Sequence, residues 1–422
     1  MSKPPPQCPA AGLAPQSLEE RIRRWGMHQP WLQEDLVAHW RQLRDHAPIV
    51  RSEEGGGYWI LTRYADIEWA AKNPGLFSSA EAVPSGNVFP AKLIPIQYDG
   101  EEHRAWRQTL ADLFNPGVAK HFTPQIRQAA NDTIDSIAEK GRCEFVSEFA
   151  AVLAAESFLV VFGIGREHLR ALQEHKSWLN QEGRTRVRFG VDIRPANQRM
   201  WDFFGEAVDR RRAEGARGGR DVISTLFRSS YQGRELTREE IVNILFVSML
   251  ASLDTTTSAL GLIYLHLAEH PEVQEMIPAA PEKVPAITEE LLRHAAVSST
   301  GRLVTRDVER HGVTMRAGDR ILLSWGLSGT DPDAFERPDE VDFERSQLRQ
   351  LAFGAGPHRC LGMHIARRLI RIALEEWHRR IPRYAPAPGT APVHHYSPAR
   401  GLASLDLVAV PPPAGTGEGA RW

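Results

Sequence analysis

The sequence predicts a mainly α fold with a minor β component, and three features carry that prediction. Apolar residues recur at three- to four-residue spacing over most of the 422-residue chain. One segment, about Thr237 to His270, reads as a single very long helix. Runs with strand character are short and lie mostly in the last third.

In chain order, Leu32 to Leu43 has helical spacing. GGGYWILTRYADIEWAAKNP gives a turn, a strand from Tyr58 to Thr62, and a short helix stopped by Asn73-Pro74. Ala80 to Pro95 is rich in Pro, Gly and small residues and is expected to be a long loop, a kind that is often functional. Helical patterns resume near His103 and run, with breaks, to about Arg212; GARGGRD, Gly215 to Asp221, reads as a turn. In the long helix, Thr237 and Glu240 make a T-x-x-E capping signature, and Pro271 closes the far end. At 1.5 Å per residue this helix would be roughly 50 Å long. Its first half, IVNILFVSMLASLDTTTSAL, is apolar on nearly every face, which predicts burial on all sides. Strands are expected near Arg302 to Val304, Gly312 to Met315, Arg320 to Ser324 and Leu402 to Val410. Helix and strand interleave without a clean linker. That predicts one domain over 17–410, with 1–16 and 411–422 as flexible ends.

Composition narrows the functional classes. Apolar residues make up 42% and charged residues 25%, as in an ordinary globular protein. A formal net charge of −2 provides no global field toward nucleic acid or an anionic membrane. Cys8, Cys143 and Cys360 are few and far apart, against a disulfide framework or a cysteine-rich zinc site. MSKPPPQCPAAG has no apolar core of a secretory leader, so a cytoplasmic location is expected.

Four local patterns carry chemistry. FGAGPHRCLG, Phe353 to Gly362, places a cysteine in a glycine-rich turn just before the amphipathic helix MHIARRLIRIALEEWHRRIP. Gly354 and Gly356 favour a tight turn that lets backbone approach a large flat partner. A cysteine at a helix start gains thiolate character and suits a soft metal. Glu290-Leu-Leu-Arg293 is an i,i+3 charge pair. Asp254-Thr255 lies inside the apolar stretch of the long helix, where such groups must be satisfied or used. His103 and Arg107, in GEEHRAWRQTL, are four apart and share a helix face.

On these residues the chain resembles the cytochrome P450 family, roughly from Leu32 to Val410. F-G-x-G-x-H-x-C-x-G looks like its haem-binding loop. Glu290-x-x-Arg293 resembles its E-x-x-R, and Phe335-x-x-Pro338 with Asp342-Phe-Glu-Arg345 resembles the segment that adds a third member. In the C-terminal third, GRLVTRDVERHG, AGDRILL, LSGTD and HIARR are most similar to the bacterial camphor-hydroxylating member. Camphor is not carried over, because the Ala80–Pro95 loop has no tyrosine to bind a ketone.

The resemblance implies haem b, iron protoporphyrin IX, between the long central helix and the cysteine loop. Cys360 would be the thiolate ligand of the iron, with Phe353, Gly354, Gly362 and Ala251 against the haem. His103, Arg107, Arg302 and His358 would contact the propionates, and Glu290, Arg293 and Arg345 would form a buried charge network behind the haem. Thr255 would hydrogen-bond dioxygen and Asp254 would relay protons to it. Ser252 stands where the family usually has glycine; it narrows the oxygen groove, adds a hydroxyl to the relay, or points away. Phe89, Leu93, Val247, Leu250, Ala251, Val297, Ser298 and Ala399 would line the site of a small hydrophobic substrate. Arg184, Arg186, Arg188 and Arg194 lie where the family has its substrate-access lid.

The resemblance further implies a monomeric monooxygenase. The sequence has no dinucleotide-binding G-x-G-x-x-G after a strand, so electrons from NAD(P)H would arrive through a separate ferredoxin and ferredoxin reductase. Arg104, Arg107, Arg359, Arg367 and Arg368 are candidates for their docking face. Hydroxylation, epoxidation, demethylation and phenol coupling would use the same machinery. A non-catalytic haem sensor would account for the cysteine loop but not for Asp254-Thr255. A purely structural helical protein would account for neither.

Overall fold

The computed structural model describes residues 17–410 apart from 28, 34, 82–88, 90, 179–192, 216–217 and 346–347. The expected flexible ends, 1–16 and 411–422, lie outside the described residues. Helices dominate, as the sequence predicts, and the central one runs Arg238–Glu269. Its capping box is formed: the Glu240 N–H donates to Thr237 Oγ1 at 3.2 Å, and the Thr237 N–H donates to Glu240 Oε2 at 2.8 Å. His270 caps the other end, and Pro271 begins the next helix, Pro271–Ala279. By length and composition this helix could cross a membrane, but it is mostly buried in the protein. It packs against helices Ala151–Phe162 and Arg194–Ala213. The Tyr264 hydroxyl donates to the Ala373 carbonyl at 2.9 Å, tying it to the helix Met363–Arg380 that follows the cysteine loop.

One five-stranded sheet holds the other side of the molecule. Its order is Ile49–Ser52, Tyr58–Leu61, Arg320–Ser324, Ser299–Val304, Phe77–Ser78. Arg320–Ser324 runs parallel to Tyr58–Leu61 (Ile321 opposite Trp59) and antiparallel to Ser299–Val304 (Ile321 opposite Arg302). The last pairing sets Ser78 opposite Leu303, beside Arg302. A hairpin of Val393–Tyr396 and Arg400–Ser404 lies against the central helix, and a three-stranded sheet joins Tyr384–Pro386, Asp406–Ala409 and Arg142–Glu144. Two apolar cores result, one around the central helix and one around the five-stranded sheet.

Three expectations change. The helix expected from Leu32 starts at Leu36 instead, because the Asp35 carboxylate caps it by accepting the Ala38 N–H at 3.0 Å. Strand character near the C-terminus divides into two strands belonging to different sheets. The central helix is not buried on all sides: Ala251 is exposed, and Leu250, Ser252, Asp254, Thr255 and Thr256 are half-buried. An accessible face therefore opens halfway along an otherwise buried helix.

Candidate active site

The cysteine loop is shaped by two left-handed glycines, Gly354 (φ 72°) and Gly356 (φ 66°). A Cβ on Gly356 would run into the Ala71 carbonyl, so this turn has no room for another residue. The Cys360 N–H donates to the Phe353 carbonyl at 2.8 Å and closes the loop. Gly362 caps the following helix with an ordinary φ of −77°, and the nearest atom to a Cβ there would be Cys360 Sγ, at 3.9 Å. The Cys360 side chain is accessible, yet burial pushes its thiol pKa up. Both hold for a group at the bottom of a protein-walled concavity. A hydrogen bond from the Gly362 N–H and the charges of Arg107, Arg367 and Arg359 act in the opposite direction.

A cluster of cationic and imidazole groups adjoins the loop. His103 and His358 stack with ring centroids 3.9 Å apart. Both are held below the ordinary histidine value, His103 at about 4, by burial first and then by neighbouring positive charge. Arg107 donates to the Arg359 carbonyl at 2.6 Å. Thus the i,i+4 pair His103 and Arg107 does reach one target, the segment His358–Arg359. Arg302 is 6% exposed, and burial pushes its pKa down to about 10. Its NH1 donates to the Gly301 carbonyl at 2.7 Å; the rest of its fork meets no protein acceptor among the described residues.

Asp99 belongs to the same cluster, and sequence reasoning missed it. Its carboxylate accepts from the Ser78 hydroxyl at 2.5 Å, the Ser79 N–H at 3.1 Å and His358 Nε2 at 3.3 Å. Burial would raise its pKa, but these bonds outweigh burial and hold it at about 2. The available signal was its position at the N-cap of the helix Gly100–Leu110, which the sequence reading began at His103.

Behind the loop, Glu290 and Arg293 are 1% and 0% exposed. Arg293 donates to both Glu290 oxygens, Nε at 2.8 Å and NH2 at 2.7 Å, and also to the carbonyls of Gly329, Pro338 and Glu340. Arg345 joins at 3.4 Å from Glu290 and donates to the Glu336 carbonyl at 2.6 Å. The predicted three-member network is formed.

On the central helix, the Thr255 hydroxyl donates to the Ala251 carbonyl at 2.6 Å. Asp254 is half-buried. Among the described residues Ser252 Oγ, which is buried, has no hydrogen-bond partner, although Ser248, Thr255 and Thr257 on the same helix all bond back one turn. The predicted substrate contacts come from three places that the fold joins. Val247 is buried and Leu250 half-buried on the central helix. Val297 and Ser298 meet Ala399: Ser298 bridges Ala399, and the Arg400 N–H donates to the Val297 carbonyl at 2.8 Å. Leu93 is buried and Phe89 half-buried on the loop. Of the lid arginines, Arg184, Arg186 and Arg188 lie outside the described residues, and Arg194 opens the helix Arg194–Ala213.

The cytochrome P450 family model matches residues 188–285 and 283–378. Probable cytochrome P450 127A1 of Sinorhizobium fredii is 31% identical over 86% of this chain and 87% of its own. Mycinamicin IV hydroxylase/epoxidase of Micromonospora griseorubida is 27% identical, over 82% of this chain and 88% of its own. The crystal structure of cytochrome P450 CYP101C1 superposes with a TM-score of 0.83 at 28% identity, covering 91% of this chain and 96% of that one. At 31% identity over most of both chains, this protein belongs to the cytochrome P450 family: it is a monooxygenase that carries haem on a cysteine thiolate and uses dioxygen with electrons from NAD(P)H passed through redox partners.

Proposed function

We propose that Cys360 provides the haem thiolate, with Phe353, Gly354, Gly362 and Ala251 packed on the haem. His103, Arg107, Arg302 and His358 hold its propionates. Thr255, Asp254 and Ser252 handle protons for oxygen use. The substrate is a small, mostly hydrophobic molecule, and the electrons come from a ferredoxin and its reductase. The protein acts as a soluble cytoplasmic monomer.

The observation that carries this reading is Arg302. Arg302 is 6% exposed, and the part of its fork that meets no protein acceptor among the described residues is suited to bind an anion. A doubly carboxylated flat cofactor supplies that anion, and Arg107 and the paired histidines widen the cradle. The accessible thiol of Cys360 and the accessible mid-helix face at Ala251 fit the same group. Haem bound there supplies the oxygen-activating chemistry of a thiolate-ligated iron.

The chain's own part is to place charge and protons. The Gly362 N–H and three arginines favour the thiolate form of Cys360. Since Thr255 donates to the Ala251 carbonyl, its lone pairs remain to accept a hydrogen bond on the accessible helix face. Asp254, next to it, carries protons inward from solvent. Ser252 Oγ, buried and unpartnered, adds a second hydroxyl to that relay. The apolar side chains of Leu93, Val247, Leu250, Val297 and Ala399 exclude water from the remainder. Hydroxylation and epoxidation, the two outcomes named for the Micromonospora relative, use the same residues.

For docking, Arg104 and Arg359 are exposed and Arg368 half-buried. Arg367 is a poor candidate: it donates to both Glu289 oxygens at 2.6 and 2.8 Å and lies 4.5 Å over the Phe353 ring. Reduced protein under carbon monoxide should show the red-shifted Soret band of thiolate-ligated haem, and Cys360→Ala should abolish it. A band that survives the substitution sinks the assignment. Thr255→Ala should raise peroxide released per NAD(P)H consumed; unchanged coupling would remove Thr255 from the relay.

A further inference from the structure

Two buried side-chain amides, on elements about 150 residues apart in sequence, grip the same short piece of loop. Asn243 lies on the central helix and is 4% exposed. Its Oδ1 accepts the Ile94 N–H at 2.9 Å, and its Nδ2 donates to the Lys92 carbonyl at 2.9 Å. These two peptide groups flank Leu93, so Asn243 pairs with the loop as a neighbouring strand would. Gln97, also 4% exposed, takes the other edge. Its Oε1 accepts the Leu93 N–H at 2.8 Å, and its backbone N–H donates to the Leu93 carbonyl at 3.0 Å. Its Nε2 reaches back to the Ala80 carbonyl at 3.1 Å, joining the start of the loop to its end.

We propose that Asn243, backed by Gln97, is a positioning residue that sets the register of the Leu93 wall against the central helix, and through it which substrates fit. The proposal rests on the reading above that Phe89, Leu93 and Val247 touch substrate. Val247 is one helical turn beyond Asn243 and on the same face. The amide therefore fixes Leu93 relative to Val247 and, one turn further, to Ala251. No apolar residue can do this, because it would leave the N–H of buried Ile94 without its acceptor and the Lys92 carbonyl without its donor. The effect is selective: it acts on ligands long enough to reach the loop and not on ligands confined to the iron.

The test uses two optical probes on the haem-loaded protein, imidazole and 4-phenylimidazole. Both coordinate iron, but only the second extends toward the chamber wall. Asn243→Leu should weaken 4-phenylimidazole about tenfold, the equivalent of one charge-free hydrogen bond, and leave imidazole within about twofold. Asn243→Asp keeps the acceptor for Ile94 and places a carboxylate against the Lys92 carbonyl; it should fall between the two, and it stands in if the leucine variant does not fold. Equal weakening of both probes, or no change in either, overturns the proposal. A wild-type protein lacking the red-shifted carbon monoxide band would overturn the haem reading beneath it, and the register pin with it.

Discussion

Two charge clusters of the protein differ: among the described residues, only one of them satisfies its own groups. In the Glu290–Arg293–Arg345 cluster the carboxylate is met by two guanidiniums, and the remaining donors of Arg293 reach carbonyls. In the His103–His358–Arg302–Arg107 cluster the one carboxylate is Asp99, burial lowers the pKa of both imidazoles, and among the described residues Arg302 bonds one carbonyl. A self-satisfied cluster serves the fold. A cluster left with surplus charge is built for something that is not part of the chain.

Substitutions can break or sharpen that contrast. Arg293→Ala strands a buried carboxylate and should lower stability by about 3–5 kcal/mol, read as a shift in the urea midpoint. His294, the neighbour of Arg293, brings in pH. Burial, then His266, Arg400 and Arg293, hold its pKa down to about 3. As pH falls below the ordinary value of about 6.5 the unfolded chain binds a proton that the folded chain refuses, so stability declines with pH over that window. His294→Phe should recover at most about 2 kcal/mol at pH 5 and none at pH 8. Arg345→Ala, whose bond to Glu290 is longer, should cost about 1 kcal/mol in the same assay. Arg302→Met should have the smallest effect: stability of the haem-free protein within about 1 kcal/mol of wild type. Haem transfer to an acceptor protein should nevertheless be clearly faster. If Arg302→Met destabilises the haem-free chain as much as Arg293→Ala does, the two clusters do not differ in kind.

What the sequence disclosed follows the range of the interactions. The capping box at Thr237 and Glu240 depends on neighbours within four residues, and the i,i+4 spacing of His103 and Arg107 and the turn glycines Gly354 and Gly356 are local patterns even though their contacts, at His358–Arg359 and Ala71, are distant. All are legible in a single stretch. The pair Glu290 and Arg293 is also local, but Arg345, the third member of the charge network, lies in a separate segment and was legible through resemblance. Asp99 was not, since two of its partners come from a two-residue strand, Phe77–Ser78, and the residue after it, which are too short to leave a pattern, and the third is His358. Asn243 was hidden for a different reason. One amide in an apolar helix has no period, and its partners are backbone groups that any residues would offer. The opening at Ala251 was hidden too, because hydropathy reports what a helix is made of and not where a neighbour is missing.

The grip of Asn243 and Gln97 also bears on how such a protein diversifies. Both amides hold peptide groups of the loop, those of Ala80, Lys92, Leu93 and Ile94. The side chain at Leu93 can therefore be exchanged over generations while its peptide groups stay moored at the same height. Mutational drift in the wall is uncoupled from drift in its anchorage. One scaffold can pass from one substrate to another by changing a few side chains, without first finding a new way to fold.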